Sequence, residues 1–207
     1  MVLVDSWDSF TYNLSGAFSS LGADVEVVQS ESTSPAEVCD MSPDFVVLGP
    51  GPGHPAESGC LVELVGALGG RIPMLGVCLG HQAIGLAFGA RVRHHDAVHG
   101  HATPIRHDGK GLFTGLPPDV PMTRYHSIVV DQLPPSLVAT AHADDGAIMA
   151  VRHRTLPIAG VQFHPESVLS GRFGLQLLAN FLSTSRRANT PRTSRTERTG
   201  TWATTIT

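Results

Sequence analysis

The sequence predicts an α/β protein with a mainly parallel central sheet flanked by helices and with additional antiparallel strands. Short apolar runs alternate with segments of helical periodicity up to residue 90, the rhythm of a sheet covered on both faces. Two glycine-rich stretches, GPGPGHP at 49–55 and GVCLG at 76–80, each follow directly on an apolar run. Open α/β sheets bind ligands there, beyond the carboxyl ends of their strands. From Arg91 onward the pattern changes to shorter alternating segments separated by turn residues, which reads as antiparallel pairing.

Val2 to Val4 is the first strand. Thr11 to Leu21 follows as a helix, with Leu14, Ala17, Phe18 and Leu21 on one face and Gly22 in the C-cap position. Val25 to Val28 is a second strand. Ser34, Pro35 and Glu37 stand in the order of a capping box with proline at the first helical position. Phe45 to Leu48 is a third strand and runs into GPGPGHP, where three glycines and three prolines in seven residues exclude both helix and central strand. Leu61 to Leu68 reads as a helix, Met74 to Val77 as a fourth strand, and Leu79 to Phe88 as a helix closed by Gly89. Ser127 to Val130, Val138 to Ala141, Ala147 to Val151 and Ile158 to Val161 are strands. Gly174 to Leu182 is a last helix, expected to pack through Leu175, Leu178 and Phe181.

Composition bounds the function. With 207 residues and 42% hydrophobic side chains, the chain can bury one full core. Residues 1–185 carry 9 Lys+Arg against 17 Asp+Glu, while 186–207 carry 5 against 1. We therefore expect a folded domain over 1–185 and a disordered Arg/Thr-rich tail over 186–207. An acidic body lacks the basic face that nucleic acid demands. No apolar run approaches a membrane span and the N-terminus lacks signal-peptide features, so no membrane association is expected and the expected compartment is the cytoplasm. Cys39, Cys60 and Cys78 have no metal-type spacing and read as reduced thiols, the first two as buried structural ones.

Cys78 reads differently. A strand, then G-x-C-x-G, then a helix is the cysteine form of the nucleophile elbow, in which small neighbours let the chain turn sharply and present the side chain above the sheet. The helix start favours the thiolate. Acyl chemistry then needs a base. His164 ends the strand-like run AGVQF and is followed two residues later by Glu166; in an extended segment both project to one side, so the carboxylate can orient the imidazole. Cys78, His164 and Glu166 make a complete triad. The Leu79 N–H and a donor from the GPGPG loop at Gly51, stiffened by Pro52, supply an oxyanion hole. His94, His95, His99, His101 and His107 crowd one region without an accompanying pattern of carboxylates or thiols, so no metal site is expected.

GVCLGHQ, LGPGPGHP and GVQFHPES together resemble the triad (class I) glutamine amidotransferases, and the likeness covers residues 1 to about 183. DSFTYN at 8–13, VHGHATPIRHDGKGLF at 98–113 and RYHSIVV at 124–130 are similar to the branch serving chorismate, in anthranilate and aminodeoxychorismate synthesis. The resemblance implies a class I amidotransferase-like fold and hydrolysis of L-glutamine to glutamate through a thioester on Cys78. It also implies glutamine contacts at Gly51, Pro52, Gly53, Leu79, Gln82, Ser127 and Ile128, no cofactor, and, as hetero-oligomeric partner, a chorismate-binding synthase subunit. The family usually reads Asn and Tyr where this chain has Ser6 and Trp7, positions outside the triad. Two alternatives stay open at this point: an amidotransferase subunit for a different acceptor pathway, and a noncatalytic interaction subunit with the same fold.

Overall fold

The structure, a computed structural model, describes residues 1–188, with side chains described through Thr184. A nine-stranded sheet runs in the order β2-β1-β3-β4-β9-β8-β7-β5-β6. Its first five positions, β2 (Glu26–Gln29), β1 (Val2–Asp5), β3 (Val46–Leu48), β4 (Met74–Val77) and β9 (Ile158–Val161), are all parallel. The rest, β8 (Ile148–His153), β7 (Leu137–Ala143), β5 (Arg91–His107) and β6 (Asp119–Asp131), pair antiparallel. An isolated antiparallel bridge joins Thr123 of β6 to His164 just beyond β9, so the far edge curls back toward the middle of the sheet.

The parallel half follows directly from its residues. β1, β3 and β4 are buried at every position, as strands covered on both faces must be. One core layer packs Leu14 and Phe18 of α1 (Thr11–Ser20) and Leu177, Leu178 and Phe181 of α5 (Gly171–Ala188) against Leu3, Val47 and Leu75. The other packs Leu61, Leu64, Val65 and Leu68 of α3 (Leu61–Leu68) and Leu79, Ala83 and Ile84 of α4 (Leu79–Ala87) against Val2, Val46 and Met74. The short α2 (Pro35–Asp40) opens on the expected capping box: Glu37 N–H donates to Ser34 Oγ at 3.3 Å, and Ser34 N–H donates to Glu37 Oε2 at 2.8 Å.

Three expectations are corrected. Leu175 is exposed, and Leu177 takes the inward position with Leu178 and Phe181, because the buried stripe of α5 runs Gly174, Leu177, Leu178 and Phe181 at helical spacing and Leu175 falls one position off it. Cys39 is exposed near the end of α2, while Cys60 is buried as expected. The antiparallel hairpin is far longer than its apolar pattern suggests: β5 spans 17 residues, bulged between His94 and Val98 and again between His99 and His101. α5 continues to Ala188, past residue 185; of the 186–207 tail, residues 189–207 lie outside the described residues.

Close packing at the β4–α4 junction gives a sharp test. A Cβ on Gly80 would lie 2.2 Å from the Leu48 carbonyl oxygen, whereas one on Gly66, an exposed residue of α3, meets nothing within 4 Å. Gly80→Ala is expected to destabilise by about 3 kcal/mol or more. Gly66→Ala is expected to stabilise by up to about 1 kcal/mol. Urea unfolding of both variants checks the pair; equal midpoints contradict the packing described.

Candidate active site

Cys78 sits between β4 and α4 with φ 53° and ψ −101°, a left-handed conformation that a side chain tolerates only under constraint. The constraint is legible in its neighbours. A Cβ on Gly76 would lie 2.4 Å from the Gly80 carbonyl oxygen, so the chain can fold back this tightly only with glycine at both positions. Cys78 N–H donates to Val161 O at 2.8 Å, tying the elbow to β9. The first intrahelical bond of α4 is Gln82 N–H to Cys78 O at 3.1 Å, which leaves the earlier amides, Leu79 among them, in the first turn without intrahelical acceptors. Gly51 packs directly on this turn: a Cβ there would lie 2.6 Å from both Leu79 Cδ2 and Ser6 Cβ.

His164 and Glu166 meet at 2.6 Å, Nδ1 to Oε1, and both side chains are shielded from solvent. The pairing comes from a turn, not from the extended segment expected. Ser167 N–H donates to His164 O at 3.3 Å, which puts Pro165 and Glu166 at the corner. Ser170 Oγ also donates to His164 O, at 2.7 Å, and His164 N–H donates to Thr123 O at 2.8 Å. Burial alone would lower the proton affinity of the imidazole. The Cys78 thiol and the Glu166 carboxylate outweigh it and push its pKa up to about 10. The other ring nitrogen, Nε2, is buried without an aligned partner. Cys78 is near enough to raise the ring's affinity for a proton, yet its Sγ–H points to Tyr125 O at 3.7 Å. Such loose alignment is common before substrate binds.

The sequence-predicted positions thus divide. The structure brings together Cys78, His164 and Glu166, and sets Gly51 against Leu79. Gln82 Nε2 donates to Ile128 O at 3.0 Å and to Gln162 Oε1 at 3.1 Å. Pro52, Gly53 and Ser127 are exposed. Sequence reasoning missed Phe10 and Tyr125, whose rings lie 5.2 Å and 5.4 Å from the His164 ring and box it in. It also missed Gln162, whose Nε2 donates to Cys78 Sγ at 3.6 Å; a residue two before His164 in an extended run was the available signal. Burial pushes the Cys60 thiol up to about 11, which suits an inert structural cysteine.

A family model for class-I glutamine amidotransferases matches residues 2–184. The chain belongs to the class-I glutamine amidotransferases. Its similarity to individual members of this family extends over most of its length. It is 44% identical over 190 residues to the aminodeoxychorismate/anthranilate synthase component 2 of Bacillus subtilis (strain 168), covering 90% of this chain and 97% of that protein. Against the anthranilate synthase component 2 of Pseudomonas aeruginosa it is 46% identical over 190 residues, covering 88% and 94%. The crystal structure of a Thermoplasma acidophilum protein, provisionally assigned to GMP synthase, superposes with a TM-score of 0.81 at 24% identity over 90% of this chain and 94% of that one. At that identity it shows the amidotransferase fold alone. No helix among the described residues is long and apolar enough to cross a membrane, and no cluster of three or more His, Cys, Asp or Glu fit to hold a metal ion occurs among them.

Two further histidines are buried on the elements that carry this candidate site, His81 on α4 and His126 on β6. Burial lowers His81 to about 4, and burial together with Arg124 and His95 lowers His126 to about 3. Both are neutral in the folded chain, so below pH 6.5 the unfolded chain takes up protons that the folded one refuses. Stability is expected to fall as pH drops from about 6.5 through 4, by about 3 kcal/mol for His81 alone. Melting curves across that window check it. His81→Asn should flatten the slope; an unchanged slope contradicts the assignment of a neutral buried ring.

Proposed function

We propose that this chain hydrolyses L-glutamine to glutamate and passes the ammonia to a chorismate-binding synthase subunit. The observation that carries the reading is the buried His164–Glu166 pair at 2.6 Å beside a cysteine held in a strained elbow. In this reading the Cys78 thiolate attacks the side-chain carboxamide carbon, and the oxygen of the tetrahedral intermediate takes up the Gly51 and Leu79 N–H groups. His164, kept protonated by its two neighbours, gives its proton to the departing nitrogen, and ammonia leaves with the C–N bond broken. The neutral imidazole then takes a proton from water, which attacks the γ-glutamyl thioester and releases glutamate and the thiolate. Glu166 holds the ring in one orientation and favours its charged form. Pro52, Gly53, Gln82, Ser127 and Ile128 hold the substrate, and neither cofactor nor metal takes part.

The partner follows from the chemistry. Free ammonia is lost as ammonium in bulk water, so a productive acceptor must sit against the site and shelter it. The relatives named component 2 in anthranilate and aminodeoxychorismate synthesis favour a chorismate-using acceptor. An exposed apolar surface beside the triad suits docking: Tyr12, Val168 and Leu169 line one hollow with Phe10, Tyr125 and Glu166. We assign residues 1–185 to the catalytic domain, with 186–188 completing its last helix and the tail following, and the complex to the cytoplasm.

Mixing the chain with chorismate, glutamine and each candidate synthase subunit is expected to yield an aromatic amine or an aminochorismate with one of them. Cys78→Ser abolishes the glutamine-dependent product and leaves ammonia-supported turnover intact. Glu166→Gln is expected to lower glutamine-dependent kcat by roughly 10²-fold or more. Full glutamine-dependent turnover in Cys78→Ser overturns the mechanism.

A further inference from the structure

Gln162 is wholly buried, follows β9 directly, and belongs to neither the triad nor the oxyanion pair. The direction of its amide follows from its neighbours. Ile128 O can only accept, so the group of Gln82 at 3.0 Å from it must be the NH2 end. The second hydrogen on the same nitrogen then meets Gln162 at 3.1 Å, so the Gln162 atom there must be Oε1. That leaves the Gln162 NH2 group on the side of the sulfur, 3.6 Å from Sγ. One main-chain carbonyl thereby fixes two amide orientations in turn, and the last donor is aimed at Cys78.

We infer that Gln162 is a positioning residue for the nucleophile: its Nε2–H group stabilises the Cys78 thiolate and holds it in place, and Gln82 locks that donor in direction. A hydrogen bond to the charged form of a thiol favours that form, and in a buried site it is strengthened by the low local dielectric. Gln82 then links the two functions of the pocket. Both its Nε2 hydrogens are used, so only Oε1 is left to face a bound molecule, and any shift of Gln82 reorients the donor on the sulfur. The inference rests on the reading of Cys78 as the nucleophile, but its test needs no glutamine.

The test is the pH dependence of Cys78 alkylation by iodoacetamide, in a Cys39→Ser background because Cys39 is exposed. Gln162→Leu is expected to raise the midpoint of the alkylation profile by about one pH unit. Gln162→Glu, of equal size but unable to donate once ionised, is expected to raise it further. A role confined to packing predicts that the Leu variant, which keeps much of the volume but has no donor, leaves the midpoint unchanged. Unchanged midpoints in both folded variants overturn the inference. A check independent of variant folding uses the unaltered chain. The side-chain amide NMR signal of Gln162 is expected to move as the thiol titrates and to stop moving after alkylation. A signal that ignores the titration also overturns the inference. Midpoints that shift as expected in a chain with no glutaminase activity beside any synthase subunit would support the role of Gln162 while removing the proposed function.

Discussion

The site depends on one strained residue. Holding a side-chain-bearing residue at φ 53° and ψ −101° costs of order 1–3 kcal/mol, and only packing on every side can maintain it. β4 is buried at all four positions, and α4 is buried from Leu79 through Gly85. Gly80 rests on the Leu48 carbonyl, and Gly160 of β9 leaves room for His81, whose Nδ1 would lie 2.9 Å from any Cβ there. The elbow is thus wedged between two neighbouring parallel strands. A chain that relaxed Cys78 into ordinary helix would have to push α4 off β3 and β9, losing the layer built on Leu79, Ala83 and Ile84. The strain persists because relieving it costs more than keeping it.

The other half of the site follows the strand beside β4: β9 pairs with β4 in parallel, Val77 opposite Val161, so both segments leave the same end of the sheet. β9 lies between the parallel set and the antiparallel set, so the residues just past it, Gln162 to Glu166, are at the seam. The long β5–β6 hairpin curls until Thr123 bridges His164, and Tyr125 then delivers its carbonyl to the sulfur and its ring to the imidazole. Cys78 and His164 therefore follow two adjacent parallel strands, and the curled hairpin closes over them from the antiparallel half.

That division explains what the sequence made legible. Strands buried on both faces are apolar throughout, so β1, β3 and β4 declare themselves, and the elbow and the Ser34 capping box depend on local spacing. The hairpin does not declare itself. β5 reads RVRHHDAVHGHATPIRH and is mostly exposed or half-buried, so it lacks the alternation that marks a half-buried strand, and its bulges break the register further. Leu175 misled because a stripe of small and apolar residues around it leaves the helix phase open by one position. Gln162 stayed hidden because its partners, Cys78 and Gln82, lie 84 and 80 residues away in sequence.

Beside Tyr125 the same strand carries a buried charge, Arg124. Arg124 is 3% exposed and donates to Asp145 Oδ2 at 2.7 Å and to His126 Nε2 at 3.0 Å. Burying the guanidinium costs hydration that Asp145, whose side chain stays 35% exposed, repays only in part, so the pair contributes little net stability. It does impose order. To accept from Arg124, His126 must be neutral with its proton on Nδ1, which agrees with its strongly lowered proton affinity. Alternation along the strand sends Arg124 and His126 to one face and Tyr125 to the other. Fixing the two polar residues therefore fixes the rotation of the strand between them, and with it the carbonyl and ring that Tyr125 presents to Cys78 and His164. Together with the pairing of Arg124, Tyr125 and His126 to β5 and the bridge from Thr123 to His164, the cluster fixes the rotation of the strand where it presents Tyr125 to Cys78 and His164.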